Sequence, residues 1–217
     1  MTERAPDPDN IGEYLISARS FPEYRAMFDL SDADLRGSIL DCPGGGSDFT
    51  AQARARGADA IAVDPAYAIP APRLGAHVLA ETDRGSAHTA AGHDRYRWDF
   101  YGDPAGHRAM RARSARGFAR DLAAHPERYV AGALPSLPFP DGRFDLVLSS
   151  HFLFTYADRL DAGFHLAALQ EMRRVCTGEV RVFPLLDQGG HSLDPLVDDL
   201  KGALAGRGVH AVVRRVP

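Results

Sequence analysis

Two aspartates and the glycine run between them carry the first chemical signal in this chain. Asp41 closes the apolar run Ser38-Ile39-Leu40 and precedes Cys42-Pro43-Gly44-Gly45-Gly46-Ser47, and Asp64 follows 23 residues later, after Ala60-Ile61-Ala62-Val63. Glycines in a turn let backbone N–H groups approach a polar or anionic ligand closely. An acid at the end of the next strand can accept hydrogen bonds from ribose hydroxyls. Asp41 narrows the choice: a carboxylate before the turn repels a pyrophosphate but accepts a bond from an ammonium group, directly or through water. A cofactor with an amino-acid tail is therefore favoured over NAD or ATP, and both the Walker lysine and the G-x-G-x-x-G spacing are absent. Further along, Ser150 and His151 follow the run Phe144–Ser149. His151 titrates near neutrality and is the candidate general base, with Tyr156 a weaker candidate for substrate contact.

These residues need elements to hold them. Gly37–Asp41, a helix over Asp48–Arg56 capped by Ser47, and a strand over Ala60–Asp64 form a strand–helix–strand unit, which implies a parallel sheet with a right-handed crossover. The alternation returns with strands at Tyr129–Ala131 and Phe144–Ser149 and an amphipathic helix over Leu160–Val175. A strand over Glu179–Leu185, a helix over Pro195–Ala205 and a sixth strand over Val209–Arg214 complete the pattern. The expected fold is α/β, a doubly wound, mostly parallel sheet with helices on both faces. Residues 1–36 read as a polar tail and short helices, with Pro22 starting the second helix, and residues 37–217 as the sheet domain. Between the second and third strands, residues 66–128 are far longer than one crossover helix needs. This insert, with His88, His93, Tyr96, Trp98, Phe100 and Tyr101 and a helix from about Gly106 to Ala124, is expected to act as a lid or substrate-recognition element.

The glycine turn, AIAVDPAY (Ala60–Tyr67), LPFPDGRFDLVLSSHFLF (Leu137–Phe154) and EMRRVCTGEVRVFPLL (Glu171–Leu186) together resemble the class I S-adenosylmethionine-dependent methyltransferases, which have a Rossmann-like fold. The resemblance spans residues 37–66 and 128–186, and its specific part is LPFPDGRFDLVLSSHFL. It implies S-adenosyl-L-methionine as cofactor. Asp41 would then sit near the methionine ammonium, and Pro43, Gly44 and Gly45 would give backbone approach to the methionine and ribose. Asp64 would bind the ribose hydroxyls with Pro65 beside the adenine. Ala133 and Leu134 fall where the family contacts adenine, and Ser150 and His151 near the transferred methyl group. Pro43 and Ser47 replace two of the family's turn glycines, Ala133 stands where an acid often holds the adenine amino group, and the family's seventh strand is not visible before Pro217.

Composition limits the partners. The 217 residues carry a net charge of −4, and all but one of the 25 basic residues are arginine, so a nucleic-acid partner is disfavoured. Arg108, Arg111, Arg113, Arg116 and Arg120 read as a solvated helix face opposite Met110, Phe118 and Leu122, with recognition of an anionic small substrate or of RNA phosphates as the functional readings. Two cysteines, Cys42 and Cys176, are too few for a disulfide framework, and no metal-ligand pattern completes around the histidines. No stretch is apolar enough to span a membrane, and a soluble, cytoplasmic protein is expected. The expected activity is methyl transfer to a small-molecule acceptor, O- or N-methylation. The alternatives are an RNA or protein methyltransferase of the same fold and a catalytically silent cofactor-binding scaffold. An open sheet edge would leave room for a homodimer.

Overall fold

A computed structural model describes residues 14–92 and 98–216. His93 and Tyr96 of the insert, and the polar tail, lie outside the described residues. Five parallel strands form one sheet in the order β3-β2-β1-β4-β5. They are β1 (Ser38–Asp41), β2 (Asp59–Val63), β3 (Tyr129–Val130), β4 (Phe144–Ser150) and β5 (Cys176–Phe183). In register, Asp41 stands beside Ala62 of β2 and Leu148 of β4. Strand order reverses between β1 and β4, and in such sheets ligands bind at the carboxyl ends flanking that reversal.

Side chains alternate between the two faces of the sheet. Ile39, Ala60 and Leu148 face α1 (Phe21–Met27) and α2 (Phe49–Arg54), packing with Phe21, Tyr24, Phe49 and Ala53. Leu40, Val63 and Val147 face the opposite layer, α5 (Ala162–Arg174) and α6 (Asp194–Ala205), through Ala168, Met172, Val197 and Leu200. Helix α1 thus shares the core of the sheet it precedes. Ser47 is not the residue that caps α2: Asp48 holds the cap position. The Ser47 hydroxyl nonetheless accepts the Phe49 N–H at 3.0 Å.

The long insert is a helical hairpin of two 21-residue helices, α3 (Ala71–Ala91) and α4 (Pro104–Ala124). Leu74 and Val78 of α3 pack with Ala115, Phe118 and Leu122 of α4 against Ala62 and Tyr129. An Asp103 carboxylate accepting the Gly106 N–H starts α4. The first helix escaped the sequence reading because Gly75 and Gly85 and its start at Pro70 and Pro72 read as loop signals.

The expected sixth strand is absent: Val209–Arg214 follows α6 outside the sheet, and Val212 and Val213 are each 56% exposed. Its β-branched residues suit a half-buried pleated surface, but no neighbouring strand supplies one. Among the described residues, β5 therefore forms one sheet edge and the two-residue β3 the other.

Candidate functional site

The two aspartates come together at the carboxyl ends of β1 and β2. Asp41 is buried and takes the Tyr24 hydroxyl at 2.9 and 3.1 Å on its two oxygens. Asp64 accepts the Gly45 N–H at 3.0 Å on one oxygen and the Ala66 N–H at 2.9 Å on the other. Burial pushes both carboxyls up from their ordinary range; the nearby Asp64 charge adds to the shift at Asp41, which Tyr24 opposes, and the two N–H bonds oppose it at Asp64. Neither has an ion-pair partner among the described residues.

The turn is tightly enclosed. Gly45 lies at φ +54°, a region that favours glycine. A Cβ on Gly44 would stand 2.6 Å from the Tyr67 hydroxyl and 2.8 Å from the Ala62 Cβ. Tyr67 donates to the Gly45 carbonyl at 2.9 Å, with its ring against Phe118 and Tyr129. The turn's own N–H groups are engaged: Gly44 with the Val63 carbonyl, Gly46 with Ser17 and Ser47 with Gly44. Pro43 is half-buried, Pro65 opens an exposed 3-10 turn, and Cys42 is a buried thiol whose ionisation burial disfavours. Ala133 is exposed in a short bridge to Ser136, and the half-buried Leu134 packs on the α5–α6 side of the core.

Beside this turn lies a cavity of about 640 Å³, in the range of small-molecule sites. His151 and Phe183, which follow or end β4 and β5, form its floor; Thr82, Tyr101 and Arg111 of the insert form one wall. Ser17, Ala18 and Arg19 line the cavity and adjoin the glycine turn. This segment is tied to the turn by the Gly46 N–H on the Ser17 carbonyl at 2.9 Å and by the Ser47 hydroxyl on the Arg19 carbonyl at 2.7 Å. Tyr156 lines the cavity too, and its hydroxyl accepts the Leu15 N–H at 2.9 Å. Tyr14 packs on the Tyr156 ring at 4.7 Å.

His151 has φ +50°, uncommon for a residue with a side chain. Its backbone N–H donates to Phe183, and its Nδ1 lies 2.9 Å from the Ser150 hydroxyl. Burial, then Arg19 and Arg111, hold the imidazole well below its ordinary range. At neutral pH it is therefore uncharged and retains a lone pair. His151 lines the cavity, whereas Asp41, Gly44, Gly45 and Asp64 are not among its lining residues.

Sequence reasoning missed a buried charged cluster on the cavity wall. Glu23 of α1 accepts from the Ser20 N–H and hydroxyl at 2.7 and 2.9 Å and from the Tyr101 hydroxyl at 2.8 Å. Arg111 reaches it at 2.8 Å and Arg19 at 3.6 Å. The available signal was spacing: His107, Arg111, Ala115, Phe118 and Leu122 form one helical stripe, so Arg111 belongs to the inward face. Arg113, Arg116 and Arg120 are exposed, as expected of a solvated face. Among the described residues no group of three histidine, cysteine or acidic side chains could hold a metal ion, and no helix is long and apolar enough to cross a membrane.

Comparison with known proteins agrees with this architecture. Residues 107–183 match the family described as a methyltransferase domain, a class I S-adenosylmethionine-dependent group. An uncharacterized protein of Methanocaldococcus jannaschii is 26% identical over 199 residues, covering 90% of each chain. No solved structure gives a significant match.

Proposed function

We propose that this chain, which carries a class I methyltransferase domain over residues 107–183, transfers the methyl group of S-adenosylmethionine to a small molecule bound in the 640 Å³ cavity. The observation that carries this reading is the position of that cavity. It is floored by His151 and Phe183 at the carboxyl ends of β4 and β5 and abuts the turn that holds Asp41 and Asp64. The donor set fits the cofactor. Asp41 and Asp64 are buried carboxylates met only by neutral donors, so an ammonium and ribose hydroxyls would supply the partners that they lack. Asp41 would hold the ammonium and Asp64 the ribose, with Pro43, Gly44, Gly45, Pro65, Ala133 and Leu134 around them.

Bound S-adenosylmethionine supplies a methyl group already activated on a sulfonium. The chain's contribution is then mainly alignment in a closed site, which is worth up to about 7–11 kcal/mol in favourable cases. His151, neutral and lining the cavity, can take a proton from an acceptor hydroxyl or ammonium, and the Ser150 hydroxyl beside Nδ1 orients the ring.

Calorimetric titration with S-adenosylmethionine and S-adenosylhomocysteine, with Asp64→Ala as control, tests the cofactor. Micromolar binding that the variant loses is expected, and methylation is then sought across small hydroxyl, amine and carboxylate acceptors. Absence of binding to the wild type would overturn the reading. Tight binding without turnover on any acceptor would favour a silent cofactor-binding protein instead.

A further inference from the structure

Two guanidiniums stand together on the cavity wall, and methyl transfer alone gives no reason for the pair. Arg19 and Arg111 share the single carboxylate of Glu23, whose oxygens also take the Ser20 and Tyr101 donors. The Nε atoms of both guanidiniums are buried without a hydrogen-bond partner. Other acids along the cavity are already engaged: Glu81 with Arg84 and the Ile16 N–H, and Asp187 with His191. The neighbouring imidazoles are held neutral and add no further positive charge. Burial, then Arg111, brings His107 down to about 4, and His151 is depressed as well. Arg19 itself is pushed down to about 10, first by burial and then by Arg111 beside it. A buried guanidinium without a full set of acceptors is costly, and an oxyanion is the group that satisfies it best.

We propose that Arg19 and Arg111 form an anion subsite of the acceptor pocket, so that the methylated molecule carries a carboxylate or phosphate. Its body lies against the aromatic wall of Trp98, Phe100, Tyr101, Tyr156 and Phe183. The assignment rests on the reading of this cavity as the acceptor site. Guanidinium forks bind planar oxyanions through paired N–H bonds, and the low local dielectric strengthens them. Glu23 keeps the two cations close together and positions them, and Tyr101 ties that carboxylate to the insert.

The test is calorimetric titration of the full chain with benzoate and phenyl phosphate, with neutral benzamide as the reference. Charged probes are expected to bind at least about tenfold more tightly than benzamide, about 1.4 kcal/mol. In Arg19→Gln that preference should fall to within about twofold. Arg111→Lys is the second variant, because it retains a charge near Glu23 while losing the planar fork; a preference reduced there with an unchanged unfolding midpoint supports the proposal. Equal binding of benzoate and benzamide to the wild type overturns it. S-adenosylhomocysteine and 5′-methylthioadenosine, which lacks the amino-acid tail, separate the two sources of a carboxylate. If Arg19→Gln weakens only the former, the arginines belong to the cofactor and the acceptor assignment is overturned; equal effects on both support it. Homocysteine-nucleoside binding without any charge preference sinks this inference and leaves methyl transfer standing. Charge preference without such binding sinks the methyl-acceptor assignment along with the proposed reaction.

Discussion

Substituting Gly46 by alanine tests whether the glycine turn is held by α3. The Gly46 backbone has no positive φ, so an alanine meets no conformational penalty and the effect is steric. Its Cβ would overlap the Val78 Cγ1 and stand 3.0 Å from Cγ2 and 3.2 Å from Cβ. Val78 is fully buried among Leu74, Ala115 and Phe118, leaving the helix little room to withdraw. Overpacking of this kind costs about 1–3 kcal/mol. Val78→Ala alone removes two buried methyl groups, roughly 2 kcal/mol once transfer and some cavity are counted. In the double variant the new methyl occupies the vacated space. The pair should therefore be less destabilised than the sum of the singles by about 1–2 kcal/mol. Urea unfolding midpoints at constant slope measure this. S-adenosylhomocysteine affinity, weakened in Gly46→Ala, should recover in the double variant, because Gly46 supports the turn through packing. Additivity within about 0.5 kcal/mol, or a neutral Gly46→Ala, would refute the steric argument.

Further outcomes follow from the charged groups. Glu23→Gln should lower stability by about 3–5 kcal/mol, since it leaves two buried guanidiniums without their carboxylate; for a chain of this size that is roughly 6–20 °C in melting temperature, and an unchanged melting curve would contradict the pairing. Burial alone would raise the Glu23 carboxyl, but Arg111 and Arg19 outweigh it and hold it below its ordinary range. Its contribution to stability is accordingly full above about pH 4.3 and lost as pH falls through the lower folded value. Asp41 and Asp64 behave in the opposite sense: with raised folded values, their effect on stability becomes unfavourable as pH rises from about 4 through those values. An ammonium ligand favours their ionised forms, so S-adenosylhomocysteine binding at mildly acid pH should release protons, seen as a dependence of binding heat on buffer ionisation; no such dependence would count against Asp41 as the ammonium partner. Finally, His151→Gln should slow turnover without removing a limb near pH 6.5, because the wild-type imidazole already titrates well below that value; a limb there that the variant loses would refute its depressed basicity.

The sheet was legible because each strand carries its own signal. Leu40, Val63 and Val147 fall on one face while Ile39, Ala60 and Leu148 fall on the other, and the acids that end β1 and β2 mark the carboxyl edge. The sixth strand failed for the complementary reason. Val209–Arg214 has the composition of a strand, but pairing requires a neighbour that no local pattern can reveal. Helix α3 failed through its glycines, Gly75 and Gly85, although its cap at Gly92 and the proline at its start were both present in the sequence.

The candidate site divides along the same line. Asp41, Gly44, Gly45 and Asp64 could be grouped from the sequence because one strand–turn–helix–strand unit sets their separation, so chain order nearly determines geometry. Glu23, Arg19 and Arg111 come instead from the entry segment, α1 and the far helix of the insert, and only tertiary packing brings them together. Arg111 was counted with a solvated arginine run because charge content hides which residue of a helix turns inward; the stripe of His107, Arg111, Ala115 and Phe118 does reveal it. The same packing closes the glycine turn beneath Ser17–Arg19, whose carbonyls take the Gly46 N–H and the Ser47 hydroxyl while the segment also lines the cavity. On the proposed reading, with the cofactor at the turn and the acceptor in the cavity, methyl transfer requires that segment to yield. The bonds that tie its backbone down are two to the turn, one from Ser114 to the Arg19 carbonyl, and those of Leu15 and Ile16 to Tyr156 and Glu81, while the Arg19 side chain is also paired with Glu23. Each backbone tie is a single hydrogen bond of about 1 kcal/mol net, within what binding of a cofactor can offset.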